Sequence, residues 1–138
     1  MHEPITFDEG SWPLMVIRFS GSPTDEQFQA YLDRYERYLE KDQRYALVLV
    51  TEPNAPMTKS KHARMQAAWI NEHYSRLGER CLGLAFVLPS PMMRGVLKAI
   101  LSMQRLPVDY AVHGTEAEGR EWANNQLIAA GIPGTGTG

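Results

Sequence analysis

Two stretches decide the fold: Tyr45-Ala46-Leu47-Val48-Leu49-Val50 and Leu82-Gly83-Leu84-Ala85-Phe86-Val87-Leu88. Both are short and nearly free of polar side chains. A strand with one solvated face alternates apolar and polar residues, whereas a strand covered on both faces reads as a continuous apolar run. These two therefore read as central strands of a sheet with helices packed against it. The stretches around them keep helical spacing, so the central strands belong to crossover units.

Working upstream, Thr24 can cap a helix, with Gln27 completing a capping box. Its apolar positions Phe28, Tyr31, Leu32, Tyr35, Tyr38 and Leu39 keep helical spacing. Ahead of it, Leu14 to Phe19 reads as a strand ended by Ser20-Gly21-Ser22-Pro23. Ile5 to Asp8 reads as another, turned by Glu9-Gly10-Ser11-Trp12-Pro13, and the two are expected to pair as an antiparallel hairpin. Between the central strands a helix is expected from about Thr58 to Leu77, stopped by Gly78. Its sheet-facing side stays open between Met65, Trp69, His73 and Ile70, Tyr74, Leu77. Downstream, Ser90 as N-cap and Pro91 at the first helical position open a helix through Arg105, ended by Pro107. Asp109 to His113 is a short strand. Thr115 caps the last helix with Glu118 as a second capping box, and Trp122, Ala123, Leu127 and Ala130 line its inner face.

The order β-β-α-β-α-β-α-β-α predicts an α/β fold: one domain over residues 1–130, a mixed, mainly parallel sheet, an N-terminal β-hairpin and about four helices. The glycine-rich residues 131–138 read as a flexible tail. Ligand crevices in such sheets lie beyond the carboxyl ends of the strands. That rule points to residues 20–24, 51–60, 89–94 and 114–115.

At 138 residues and 43% hydrophobic composition, the chain is long enough for one core and too short for a separate cofactor domain. The net charge of −2 gives no basic excess of the kind a nucleic-acid binder carries. Cys81 is the only cysteine, which excludes an intrachain disulfide and a four-cysteine zinc site. No apolar run approaches the ~18–20 residues of a membrane span. The acidic first ten residues have no apolar core of a signal peptide. A cytoplasmic, soluble protein without a transmembrane segment is the expectation.

Catalytic and cofactor motifs are missing. The first strand-to-helix junction, Phe19-Ser20-Gly21-Ser22-Pro23-Thr24, has one glycine and a proline where dinucleotide binding needs Gly-x-Gly-x-x-Gly. No P-loop and no Gly-x-Ser-x-Gly elbow occurs. His62 and His73 stand eleven residues apart on one expected helix, roughly 16 Å. They therefore cannot share an ion, and structural histidines are expected. Cys81 precedes an apolar strand with no base assigned to it, so an inert thiol is expected. These readings predict no enzyme, no cofactor and no metal. A small enzyme using Cys81 or a histidine is the weakest alternative.

The small net charge hides a gradient. Residues 1–56 carry five basic and ten acidic side chains, residues 57–113 eight basic and three acidic, and the remainder is net −2. Lys59, Lys61 and Arg64 cluster at a helix start beside Thr58 and Ser60, where free amides and cations together can hold an anion. A solvated basic face is the plainer reading. The helix after Ser90 is the other oddity. Met92, Met93, Val96, Leu97, Ile100, Leu101, Met103 and Leu106 form an apolar arc wide enough to exceed one sheet face, with Met92, Met93 and Met103 expected to be exposed.

The hairpin, the segments Leu14–Ser20, Tyr45–Thr51, Leu82–Leu88 and Val108–Val112, and the closing Glu116-Ala117 with Trp122 resemble the SpoIIAA-like, or STAS-like, domains over residues 4 to about 130. The resemblance implies a non-enzymatic regulatory module that binds a protein partner; some relatives of that type are suspected of binding lipids. The phosphorylated Asp-Ser-Ser-Gly loop of partner-switching members corresponds to residues 51–60, which lack that motif. Thr58 and Ser60 are positional candidates there, within reach of Lys59, Lys61 or Arg64.

The leading expectation is a protein-interaction module using Thr58, Lys59, Ser60, Lys61, Arg64, Met92, Met93 and Arg94, with a homodimer also open. A module that binds a lipid or an anionic ligand between the third helix and the sheet is the alternative. Nucleic acid is not an expected partner.

Overall fold

The structure is a computed structural model that describes residues 3–41, 43–53, 55–56 and 59–132. The elements run β1 (Ile5–Ser11), β2 (Leu14–Phe19), α1 (Asp25–Glu40), β3 (Tyr45–Thr51), α2 (Ser60–Glu72), α3 (Tyr74–Arg80), β4 (Cys81–Val87), α4 (Pro91–Met103), β5 (Tyr110–His113) and α5 (Glu116–Ala129). The α/β class and the mainly parallel sheet follow the sequence reading. So does the hairpin: β1 pairs antiparallel with β2, with Ile5 opposite Phe19.

The five strands lie in sequence order, β1-β2-β3-β4-β5, and all pairs after the first are parallel. Right-handed crossovers that advance in one direction place their helices on one face. Accordingly α1, α2 and α3 pack over Met15, Ile17, Tyr45 and Leu47, while α5 covers Leu14, Val16, Ala46 and Val48. The alternation of β2 and β3 divides these side chains between the two faces. In β4 a register shift sets Cys81 opposite Tyr45 and Leu84 opposite Leu47. The extra residue turns both Cys81 and Leu84 to the sheet face that carries α1, α2 and α3.

The two faces differ in grain. Under α5 the sheet offers Ala46, Val48, Val50, Ala85 and Val87. The helix answers with Gly119 and Ala123, so backbones approach closely. A Cβ on Gly119 would lie 2.6 Å from Val87 Cγ2, and one on Gly83 would lie 2.8 Å from Gln126 Cγ. The opposite face is large and aromatic. Trp12 stacks on Tyr38 and Tyr45 with ring centroids 5.6 and 5.7 Å apart, and the Tyr35 and Tyr45 hydroxyls share a 2.7 Å hydrogen bond.

Capping follows the sequence. Thr24 Oγ1 accepts from the Gln27 amide while Gln27 Oε1 accepts from the Thr24 amide, a complete capping box. Ser90 Oγ accepts from the Met93 amide. Thr115 Oγ1 accepts from the Glu118 amide, but its hydroxyl then donates to Glu118 Oε1, so the box expected there is not reciprocal through the backbone.

Three expectations need correction. The helix expected over Thr58–Leu77 is two helices, broken at His73 (φ −108°, ψ 19°), which makes five helices among the described residues rather than four. The break turns His73 inward, where its Nδ1 accepts from Arg76 Nη2 at 2.8 Å, and it sets Leu77 into the core. Gly78 does not stop the helix, since α3 runs on to Arg80. It marks a close approach, because a Cβ there would lie 3.2 Å from the Pro107 carbonyl oxygen. Helix α4 ends at Met103, short of Arg105, where Gln104 turns extended (φ −119°, ψ 118°). The open question of the α2 face resolves as a mixture: Trp69, His73 and Leu77 are buried, Met65 and Ile70 sit at the core margin, and Tyr74 is exposed. No helix among the described residues is long and apolar enough to cross a membrane. Of the expected tail, residues 133–138 lie outside the described residues, and Ile132 packs at the margin of the α5 core.

Candidate functional site: an apolar cavity beneath helix α4

Helix α4 comes close to the sheet chiefly along the edge strand β5. It is tied at its start by Arg94, whose Nη1 donates to the carbonyls of Leu88 (2.7 Å) and Pro89 (3.1 Å). Between α4, α2 and the sheet lies a cavity of about 380 Å³. That is within the usual range for a small-molecule site. Its floor is Leu47 and Leu49 of β3 with Leu84 and Phe86 of β4. Met93, Val96, Leu97 and Leu101 of α4 form the roof, and Trp69 and Ile70 of α2 form a wall.

The cavity is elongated. One end reaches Gly21, Ser22, Pro23 and Lys59, beyond the carboxyl ends of the parallel strands. The other reaches Leu77, Cys81, Leu106 and Pro107, at the start of β4. It therefore runs the length of β4, roughly 20 Å at strand rise. One of its ends lies where the strand-end rule places ligands.

Several polar atoms in its walls are hydrogen-bonded, whereas the buried Trp69 Nε1 has no hydrogen-bond partner among the described residues. Tyr31 Oη donates to Gln66 Oε1 at 3.0 Å, and Cys81 Sγ donates to the Gly83 carbonyl at 3.5 Å. Burial pushes the Tyr31 and Tyr35 hydroxyls up, so both stay protonated. Among the described residues, no aspartate or glutamate lines the cavity, and Lys59 is its only lysine or arginine. Lys59 is exposed and makes no ion pair among the described residues. The cavity is thus an apolar channel with one cation at its upper rim.

That rim is braced by a contact between α1 and α2. Asp25 accepts from Lys61 Nζ at 2.6 Å and pairs with His62 Nε2 at 2.9 Å. These hydrogen bonds hold the Asp25 carboxyl below its ordinary range. The His62 ring is buried and stacks on Phe28 with centroids 4.5 Å apart.

The sequence-predicted site residues separate accordingly. Thr58 lies outside the described residues. Lys59 sits at the cavity rim, whereas Lys61 is engaged with Asp25; Ser60 and Arg64 are exposed at the start of α2. Met93, expected to be exposed, turns inward and lines the cavity, while Met92 and Met103 are exposed. Arg94 is committed to backbone carbonyls and closes the β4–α4 loop. Sequence reasoning missed Leu49, Leu84 and Phe86, because an apolar strand residue reads the same over a filled core and over a cavity. The signal available was the width of the α4 arc.

Two other clusters bear on chemistry. Burial pushes the Cys81 thiol up to about 12, away from the thiolate a nucleophile requires. Its hydrogen bond goes to a backbone carbonyl. Glu36, Glu72 and His73 form the one group compact enough to hold a metal ion among the described residues. An arginine only donates, so Nδ1 of His73 accepts from Arg76 and the ring proton sits on Nε2. That nitrogen, 3.2 Å from Glu36 and 3.1 Å from Glu72, carries a proton where a metal would need its lone pair. No family model matches the chain, and no curated protein or solved structure matches it either.

Proposed function

We propose that the protein is a non-enzymatic binding module of STAS-like type that holds an elongated, apolar small molecule with an anionic end. The observation that carries this is the cavity: about 380 Å³, apolar along the length of β4, free of carboxylates among the described residues, and with Lys59 at one rim. An acyl chain fits such a channel, and its carboxylate or phosphate meets Lys59. The β1–β2 hairpin leading a sheet in sequence order supports the STAS-like likeness. The buried Cys81 thiol, bonded to a backbone carbonyl, favours a binding role over one that uses it as a nucleophile. The cavity is also why ligand binding takes precedence over protein-partner binding. A protein partner would not need a channel between α4 and the sheet.

The test is native mass spectrometry of freshly purified protein, followed by titration of the delipidated protein with oleic acid. Saturable binding is expected. Leu97→Trp, which places an indole in the channel, should abolish it without changing the circular dichroism spectrum. Lys59→Ala should weaken oleic acid more than oleyl alcohol, which lacks the charge. Absence of saturable binding by the folded wild-type protein would overturn the proposal.

A further inference from the structure

Helix α4 is apolar on both sides. Its inner residues Met93, Leu97 and Leu101 face the cavity. On its outer side Met92 and Met103 are 76% and 89% exposed. Gly95 and Ala99, which share that side by helical spacing, are exposed as well. A helix that keeps an exposed apolar stripe opposite its packed side marks a surface to be covered.

Charge says what covers it. Helix α4 is the only one of the five helices without a carboxylate, and residues 89–108 carry Arg94, Lys98 and Arg105 with no aspartate or glutamate. Arg94 is held by carbonyls. Lys98 and Arg105 are exposed and make no ion pair among the described residues. A second copy docked on this stripe by a two-fold axis would face the same cations with no acid to meet them. An anionic lipid surface complements both features. The methionine side chains enter the acyl boundary, while the flanking lysine and arginine reach lipid phosphates.

We propose that α4 docks with its outer stripe on an anionic bilayer. The docking stands on exposure and charge. Only its consequence rests on the cavity reading: with its roof at the surface, the channel exchanges an acyl ligand with the bilayer without passing it through water.

The full chain is sedimented with vesicles of phosphatidylcholine alone and of phosphatidylcholine containing phosphatidylglycerol. Binding is expected to the second kind only, and raised salt should weaken it. Lys98→Ala should lower the partition coefficient roughly fivefold. Met103→Glu should lower it further, while the melting temperature and oleic acid binding stay unchanged because the residue is exposed. Oleic acid binding with no vesicle binding would overturn the docking and leave the cavity reading standing; vesicle binding without oleic acid binding would do the reverse. Equal sedimentation of wild type and Met103→Glu would also overturn the docking. So would a concentration-dependent dimer, or a complex with one protein, that Met103→Glu abolishes in the absence of vesicle binding.

Discussion

The two faces of one sheet show how the same apolar residue types give a closed core or an open one. Under α5, small side chains on both partners let the helix sit close, and Ala85, Ala123 and Leu127 have no measurable exposure. Under α4 the strands present Leu49, Leu84 and Phe86, and the helix presents Met93, Leu97 and Leu101, yet the surfaces do not meet. The difference lies in anchoring. Helix α5 has Gly119 and Ala123 as contact points and an ion pair at its start. Helix α4 is anchored through Arg94 and the β5 edge, so its middle spans a gap. Apolar composition alone thus does not distinguish a packed face from a cavity; the size of the side chains at the crossing point does.

The largest expected effect tests this directly. Leu127→Ala removes a side chain from the closed face and should cost about 2–5 kcal/mol in urea unfolding. Leu97→Ala removes the same atoms from a cavity roof that already lacks neighbours on one side. Its cost should stay below about 1.5 kcal/mol, since little packing is lost. Equal costs for the two would show that the cavity closes in solution.

The next effect is electrostatic. Arg18 at the end of β2 donates to Glu116 at the start of α5 through two bonds, Nη1 to Oε1 at 2.6 Å and Nη2 to Oε2 at 2.8 Å, and Arg120 Nε adds a third at 2.7 Å. Hydrogen bonding from Arg18 is the main cause that holds the Glu116 carboxyl down to about 2 from an ordinary 4.5. A carboxyl depressed in the folded state contributes stability that is present above its unfolded value. That contribution is lost as pH falls from about 4.5 toward about 2. Glu116→Gln should cost about 1–2 kcal/mol at neutral pH. It should also flatten the acid limb of the stability curve in that window. An unchanged acid limb would detach this pair from the anchoring of α5.

Much of the fold was legible because its signals are local. Thr24 with Gln27, Ser90 with Pro91, and the unbroken apolar runs of β3 and β4 each dictate structure within a few residues. The break at His73 was not legible. It depends on Arg76 and on burial of Leu77, which helical periodicity cannot separate from a continuous helix. The site was half legible: the arc of α4 announced more apolar surface than one sheet face needs. Its division into an inner row around Met93 and Leu97 and an outer row around Met92 and Met103 required the position of the sheet. Lys59 and Lys61 looked alike in sequence, and only the placement of Asp25 gave one a partner and left the other at the cavity rim.

The smallest effect is also the sharpest comparison, because one substitution should change sign between the two helices. Replacing glycine by alanine inside a helix gains about 1 kcal/mol from helix propensity when the new methyl group meets nothing. At Gly95 of α4 no atom lies within 4 Å of the added Cβ, so Gly95→Ala should stabilise the protein by about 0.5–1 kcal/mol. At Gly119 of α5 the same Cβ meets Val87 Cγ2 at 2.6 Å, with Val48 Cγ1 at 3.5 Å and Ala85 Cβ at 3.6 Å behind it. Val87 is itself buried and has no free direction to turn. Overpacking of about 1–3 kcal/mol then exceeds the propensity gain, so Gly119→Ala should destabilise. Melting temperatures of the two variants measured side by side give the signs. Two increases would mean that α5 shifts to admit a methyl group, and the closed face would then be adaptable rather than close-packed.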